Sequence, residues 1–167
     1  MDLIRSHRSE IRRSLHGPAW HGPALLELLA DVTPKEAHTH VVADAHTIAE
    51  IAEHALAWIE EVMQRLGGAT AGTPVRGDWP EQHDRSADAW RTRIDSLRTA
   101  GDELDALLAT LPAERLLDVV ATREPDVPDG GGVRFTVMLQ GIAQHNAYHG
   151  GQVALLKKAL RAADAST

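Results

Sequence analysis

Residues 135–162 read FTVMLQGIAQHNAYHGGQVALLKKALRA, and the spacing inside this stretch decides the fold class. Met138, Ile142, Val153, Leu156 and Leu160 belong to a series that steps by three and four residues, and His145 and His149 fill its two remaining places. At 3.6 residues per turn all seven side chains project from one narrow helical face. A core face is a costly place for imidazoles unless their nitrogens are satisfied. Four residues apart on a helix, two imidazoles can share one metal ion. Ten histidines in 167 residues make that spacing common by chance. The apolar face and a third histidine are what give it weight. His54 lies within 45–66, where Ile48, Ile51, Ala55, Ile59 and Val62 form another inward stripe, and it flanks that stripe beside Ile51 and Trp58. Two such helices packed side by side bring three imidazoles together. For a single ion to bridge them they must lie within about 6 Å of one another. Buried histidines bonded to carboxylates or carbonyls give the same pattern, so residue spacing alone leaves both readings open.

Outward from this stretch, the rest of the chain reads as helices and breaks. Residues 2–15 form a first helix with Ile4, Ile11 and Leu15 on one side, interrupted by Gly17 and Pro18. Pro23 suits the first turn of a short helical piece over 24–29. Residues 33–45 are a connector in which Thr33 caps one short turn with Pro34 at its first position. The second long helix begins near 44–47 and stops at Gly67-Gly68. Residues 67–85, rich in Gly, Pro, Thr and Asp with one Trp, form a long loop of the kind that serves as a crossover or lid. A third helix spans 86–110, capped by Asp84 or Ser86, with Trp90, Ile94, Leu97, Leu104 and Leu108 inward. Residues 112–118 make a turn or short helix, 119–122 a small extended piece, and 125–132 a break. The expected fold is all-α: a four-helix bundle forming a single domain over 1–167, with 67–85 as the crossover between helices two and three and 163–167 as a loose tail.

Composition narrows the function. The chain has one Phe and one Tyr against four Trp, so aliphatic residues and alanine carry the packing, which suits helices. A net charge of −7, with Lys and Arg scattered apart from a cluster over 5–13 that reads as the solvated face of the first helix, argues against nucleic acid as a partner. There is no cysteine, which excludes disulfides, thiolate metal sites and a cysteine nucleophile. No signal-like segment and no apolar run near the roughly 18–20 residues of a membrane span is present, so a soluble cytoplasmic protein without membrane partners is expected.

Three segments carry a resemblance. They are Ala19-Trp20-His21-Gly22-Pro23, then HTIAEIAEH over 46–54, then GIAQHNAYHGGQ over 141–152. In order and spacing they resemble the DinB/YfiT-like superfamily of metal-binding helix bundles. The resemblance covers most of the chain, the last segment is the most specific, and the loops match little. It implies an up-down-down-up bundle, which agrees with a long loop at 67–85. It implies a divalent metal held by one histidine of the second long helix and two of the fourth, at positions matching His54, His145 and His149. It also implies a homodimer. Members of the superfamily include transferases that use low-molecular-weight bacterial thiols and others that are hydrolase-like.

Three neutral imidazoles leave coordination positions open, the pattern of catalytic rather than structural sites. Imidazole suits zinc, nickel, iron and copper, so ligand type alone does not name the metal, and zinc or nickel is expected before iron. Such a metal can activate a water or hold a thiolate. Weaker catalytic candidates surround it. Glu50, one turn before His54, can orient that ring or act as a base, although a solvated glutamate is the plainer reading. His46 can line the mouth of the site, and His21 can face the cavity from its Gly/Pro-broken segment. Asn146 and Tyr148 should point away from the ligands. Gly141, Gly150 and Gly151 suggest close approach of a neighbouring helix or a partner subunit, or simply tolerated destabilisation. Two functional classes follow: a metal-dependent enzyme acting on a small molecule, as a thiol S-transferase or a hydrolase, or a non-catalytic, stress-related metal-binding protein. An enzyme needs a water-accessible pocket beside the metal. A non-catalytic site should be closed by a fourth protein ligand or sealed by apolar side chains.

Overall fold

Three of the four long helices start where a side chain takes up an orphan backbone donor, and the last starts at Arg134 without such a cap. The computed structural model describes residues 2–121 and 132–165. Helix α1 (Leu3–His16) is capped by Asp2, whose carboxylate accepts the Arg5 N–H at 3.1 Å. It ends at Gly17, whose φ of 79° favours glycine. Two short helices follow, α2 (Leu25–Leu29) and α3 (Pro34–His38), the latter capped by Thr33 with Pro34 at its start as the sequence suggests. Helix α4 (Ile48–Leu66) opens on a reciprocal cap, in which Thr47 Oγ1 accepts the Glu50 N–H and Glu50 accepts the Thr47 N–H. Helix α5 (Ala87–Ala109) is capped by Ser86, while the Asp84 carboxylate accepts the Ser86 N–H. A 3₁₀ turn (Ala113–Leu117) precedes α6 (Phe135–Asp164).

The four long helices α1, α4, α5 and α6 surround one core. Helix α1 packs on α5 and α6, and α4 packs on the same two. His7 Nε2 meets Thr136 Oγ1 at 2.9 Å, and Asn146 donates to Ser14 Oγ at 3.3 Å, joining α1 to α6. Arg8 and Asp105 form a bidentate pair at 2.8 Å between α1 and α5. Arg93 donates to Glu53 at 2.7 Å between α5 and α4. The expected stripes are inside: Ile4, Ile11 and Leu15 of α1, Ile48, Ile51, Ala55, Ile59 and Val62 of α4, and Trp90, Leu97, Leu104 and Leu108 of α5 are all buried. Ile94 is only partly buried.

Several boundaries move. Helix α6 runs through Asp164, so residues 163 and 164, expected in a loose tail, are helical, and residues 166 and 167 lie outside the described residues. The extended piece over 119–122 reduces to an isolated bridge between Val119 and Arg134, and its last residue lies outside the described residues. So does most of the break over 125–132. No regular element interrupts 67–85. Among the described residues no helix is long and apolar enough to cross a membrane.

Candidate metal centre

The antiphase stripes of α4 and α6 bring His54, His145 and His149 together. One ring nitrogen of each lies within 4.8 Å of the other two, well inside the distance one ion can bridge. His54 and His149 are buried, whereas His145 is half-buried, at the edge of the core and not within it. His145 Nε2 stands 2.9 Å from His54 Nε2 and 3.2 Å from His149 Nε2. The same nitrogen type of all three rings therefore faces one shared space.

Proton positions show what that space suits. His54 Nδ1 lies 2.6 Å from the Asp78 backbone oxygen. A carbonyl oxygen only accepts, so this nitrogen carries the hydrogen and the neutral ring presents a bare lone pair at Nε2. His149 Nδ1 lies 2.6 Å from Gln152 Oε1, which fixes the same tautomer. His145 can donate from Nε2 to one of these neighbours but not to both. One of the two short nitrogen–nitrogen contacts must therefore set lone pair against lone pair unless a cation sits among them. A proton is a poor candidate. Burial and the neighbouring His149 and His54 lower the His145 pKa to about 4. Burial also lowers His149, partly opposed by its bond to Gln152. Three convergent imidazoles are a donor set that can hold a transition metal ion. Among the described residues no fourth carboxylate or imidazole joins the set.

The loop between α4 and α5 supplies what the helices lack. Gly77, at φ 93°, turns the chain so that Asp78 and Trp79 reach the cluster. Besides its carbonyl on His54, Asp78 accepts the Trp58 indole N–H at 2.8 Å. The Trp79 indole lies flat on His54 at 3.9 Å between centroids, and His46 lies flat on its other face at 3.5 Å. Arg76 ties the loop to α4 through Glu60 at 2.5 Å and Glu53 at 3.3 Å. Arg65 donates to Gly72 O at 2.8 Å, and Ala71 N–H donates to Ala121 O at 2.7 Å. Asp78 and Trp79 escape motif reading because one acts through its backbone. The lone Trp in a polar loop was the available signal for the other.

The weaker candidates separate. Glu50 does not orient His54: its carboxylate is engaged at the α4 cap with Thr47 and lies 3.6 Å from His46. Burial pushes this carboxyl up, but the Thr47 N–H and hydroxyl, with His46 and His40, outweigh it and hold the pKa below the ordinary value. His46 stacks on Trp79, which in turn stacks on His54. His21 is exposed and lines a separate groove with Ala147 and Gly150. Asn146 does turn away from the histidines, but it is fully buried against Ser14, a position the sequence did not suggest. Tyr148 is exposed, edge-on to His149. A Cβ at Gly141 or Gly151 would meet nothing within 4 Å, and one at Gly150 would make ordinary contact with Leu28 at 3.5 Å. Among the described residues no neighbouring helix requires glycine at these positions.

A cavity of about 420 Å³ opens beside the cluster, bordered by His54 and His145 at one end. Its walls are mainly apolar, including Trp58, Val62, Met138 and Ile142. Against known proteins, neither the curated proteins nor the solved structures give a match to this chain. The family model of the DinB superfamily matches residues 19–153, a span that holds all three histidines, the loop over 67–85 and four of the five helices after α1 in full. The chain belongs to the DinB superfamily.

Proposed function

We propose that this protein is a metal-dependent enzyme acting on a small molecule, with His54, His145 and His149 holding one divalent ion through Nε2. The carrying observation is the convergence of three Nε2 atoms, two with bare lone pairs, at the edge of a cavity. The all-imidazole set suits zinc, nickel, iron and copper alike, and zinc or nickel is the ion we propose. When bound, such a metal supplies a Lewis-acidic centre able to activate a water or a low-molecular-weight thiol. The protein's own residues do the positioning. The Asp78 carbonyl holds the His54 proton on Nδ1, Gln152 does the same for His149, and Trp79 covers one face of His54. The cavity favours this reading over a non-catalytic metal-binding or stress-related protein, which would be served by a closed site. Thiol S-transfer and hydrolysis both remain compatible reaction classes.

The wider reading is a single-domain bundle with up-down-down-up topology. It is supported by pairings that advance in step between α1 and α6 (His7 with Thr136, Ser14 with Asn146) and oppose one another between α1 and α5 (Arg8 with Asp105, His16 with Asp102). We read it as a cytoplasmic homodimer, with neither nucleic acid nor membrane as partner. Metal analysis of protein purified without a histidine tag tests the proposal. One zinc or nickel per chain is expected, and turnover of electrophiles with thiol cofactors, or of ester and amide substrates, should vanish with a chelator. Absence of stoichiometric metal after growth and reconstitution with each of these ions overturns it.

A further inference from the structure

The cavity beside the histidines is a trough along the α4–α6 seam. On α4 its wall steps through His54, Trp58, Val62 and Arg65. The first and last of these lie eleven residues apart on the helix, about 16 Å at 1.5 Å per residue. On α6 the wall runs back through His145, Ile142, Met138 and Val137. The imidazoles stand at one end, and the length between is Trp58, Val62, Met138 and Ile142, with Val133 and Val137 half-exposed on the rim.

Among the described residues two charged groups touch this trough, and both are engaged by the protein itself. Arg65 donates to Glu61 at 2.7 Å and to Gly72 O at 2.8 Å, with its guanidinium 5.4 Å from the Trp58 ring centroid. Glu61 is buried beneath it. The Asp78 carboxylate accepts the Trp58 indole N–H at 2.8 Å and sits 3.3 Å from His54 Nδ1. Neither group offers an uncompensated charge to a visitor. A charged ligand body would lose its hydration here without an equivalent partner. An alkyl or aryl body would exchange water for Trp58, Val62 and Met138.

We infer that the trough takes a small molecule with an uncharged apolar tail and one metal-ligating head group, the head at the Nε2 cluster and the tail along Trp58 and Val62. This rests on the metal reading above and adds the substrate class to it. The distance from His54 to Val62 is eight residues, about 12 Å along the helix, which sets the useful reach of a tail.

The probe is a series of n-alkyl hydroxamates, acetyl to octanoyl, titrated into zinc-loaded protein whose metal content is measured in the same sample. Each added methylene should tighten binding about three- to fourfold while the tail stays within the trough. A tail of equal length ending in an ammonium or carboxylate should lose most of that gain. Val133→Asp and Val137→Asp lie on half-exposed rim positions, so they should fold. They should flatten the chain-length dependence and leave the zinc content and the acetohydroxamate affinity unchanged. A flat dependence in the unaltered protein with one zinc per chain overturns the tail site and spares the metal reading. Absence of zinc overturns the metal reading, and this inference with it. A flat dependence in a dimer that Val137→Asp dissociates assigns the trough to a second copy of the chain, and also overturns the inference.

Discussion

Replacing His149 by alanine should remove the metal without removing the fold, and the structure sets the size of both effects. The ring is 4 % exposed and packs edge-on to His54 and His145, with centroids at 4.7 and 4.4 Å. Truncating a buried side chain of this size leaves a cavity, and such cavities cost about 2–3 kcal/mol. Two features reduce that figure. The substitution abolishes one of the two short nitrogen–nitrogen contacts, and it strands no buried partner, because Gln152 is only half-buried and can turn to water. The net cost in metal-free protein should be about 1–2 kcal/mol, or about 2–8 °C in melting temperature for a domain of this size. Metal changes the comparison. At a free concentration a hundredfold above its Kd, an ion bound only to the folded state adds about 2.7 kcal/mol. The unaltered protein should thus rise by a further 5–11 °C or about that range, and the variant should not move. Calorimetry with and without chelator reads the two differences, circular dichroism reads helicity, and metal analysis reads stoichiometry. Retention of one ion per chain with the same thermal shift in His149→Ala would refute the ligand assignment. Cooperative melting of the unaltered protein by chelator at room temperature would make the ion structural and refute the enzyme reading.

Trp79→Ala should weaken metal binding about 10- to 100-fold by freeing the His54 ring, and Trp79→Phe should restore most of it. Competition with a chromogenic chelator measures this, and equal affinities in all three proteins would deny Trp79 a positioning role. Glu53→Ala strands Arg93, whose side chain is only 10 % exposed, and should cost about 3 kcal/mol, read as a lowered melting temperature; a change under about 0.5 kcal/mol would contradict the buried pairing. His145, His149 and His7 all have folded pKa values lowered chiefly by burial, His145 to about 4. The unfolded chain therefore binds protons first as pH falls below about 6.5, so the melting temperature of metal-free protein should be level above that pH and decline between about 6.5 and 4. Metal should leave over the same interval, since protons compete for the same lone pairs, and a melting temperature that rises on acidification would contradict the burial argument. Sedimentation at micromolar concentration should give a species of twice the 18.1 kDa chain mass; a solely monomeric species counts against the homodimer.

The helices were readable because each of the four carries a stripe that meets a single core. Met138, Ile142, His149, Val153, Leu156 and Leu160 are buried as their spacing suggests. Helix α6 was only half legible, because it touches α1, α2 and α4 and so buries more than one face. A single-stripe reading turns Asn146 away from the ligands without placing it, and the α1 side of the helix buries it completely. The histidine cluster could be read because its members lie on helices, where spacing dictates direction. The remainder of the site could not. Glu50 has the right spacing to reach His54, but the N-cap competes for the same carboxylate and holds it. Asp78 and Trp79 are placed by a turn at Gly77 and by ion pairs from Arg76, none of which has a periodicity to follow.

His54 takes its orientation from a main-chain oxygen, and this bears on how the site can drift over generations. Every amino acid at position 78 carries that oxygen. Replacement there can alter the neighbourhood of Trp58 and still leave the His54 proton on the same nitrogen. The heritable constraint falls instead on the route of the chain, and most sharply on Gly77, whose φ of 93° few other residues adopt. Selection can therefore rewrite the letters that face an incoming molecule while conserving the path that holds the imidazole. Related sequences could diverge widely in substrate along this loop and keep the same histidine geometry beneath it.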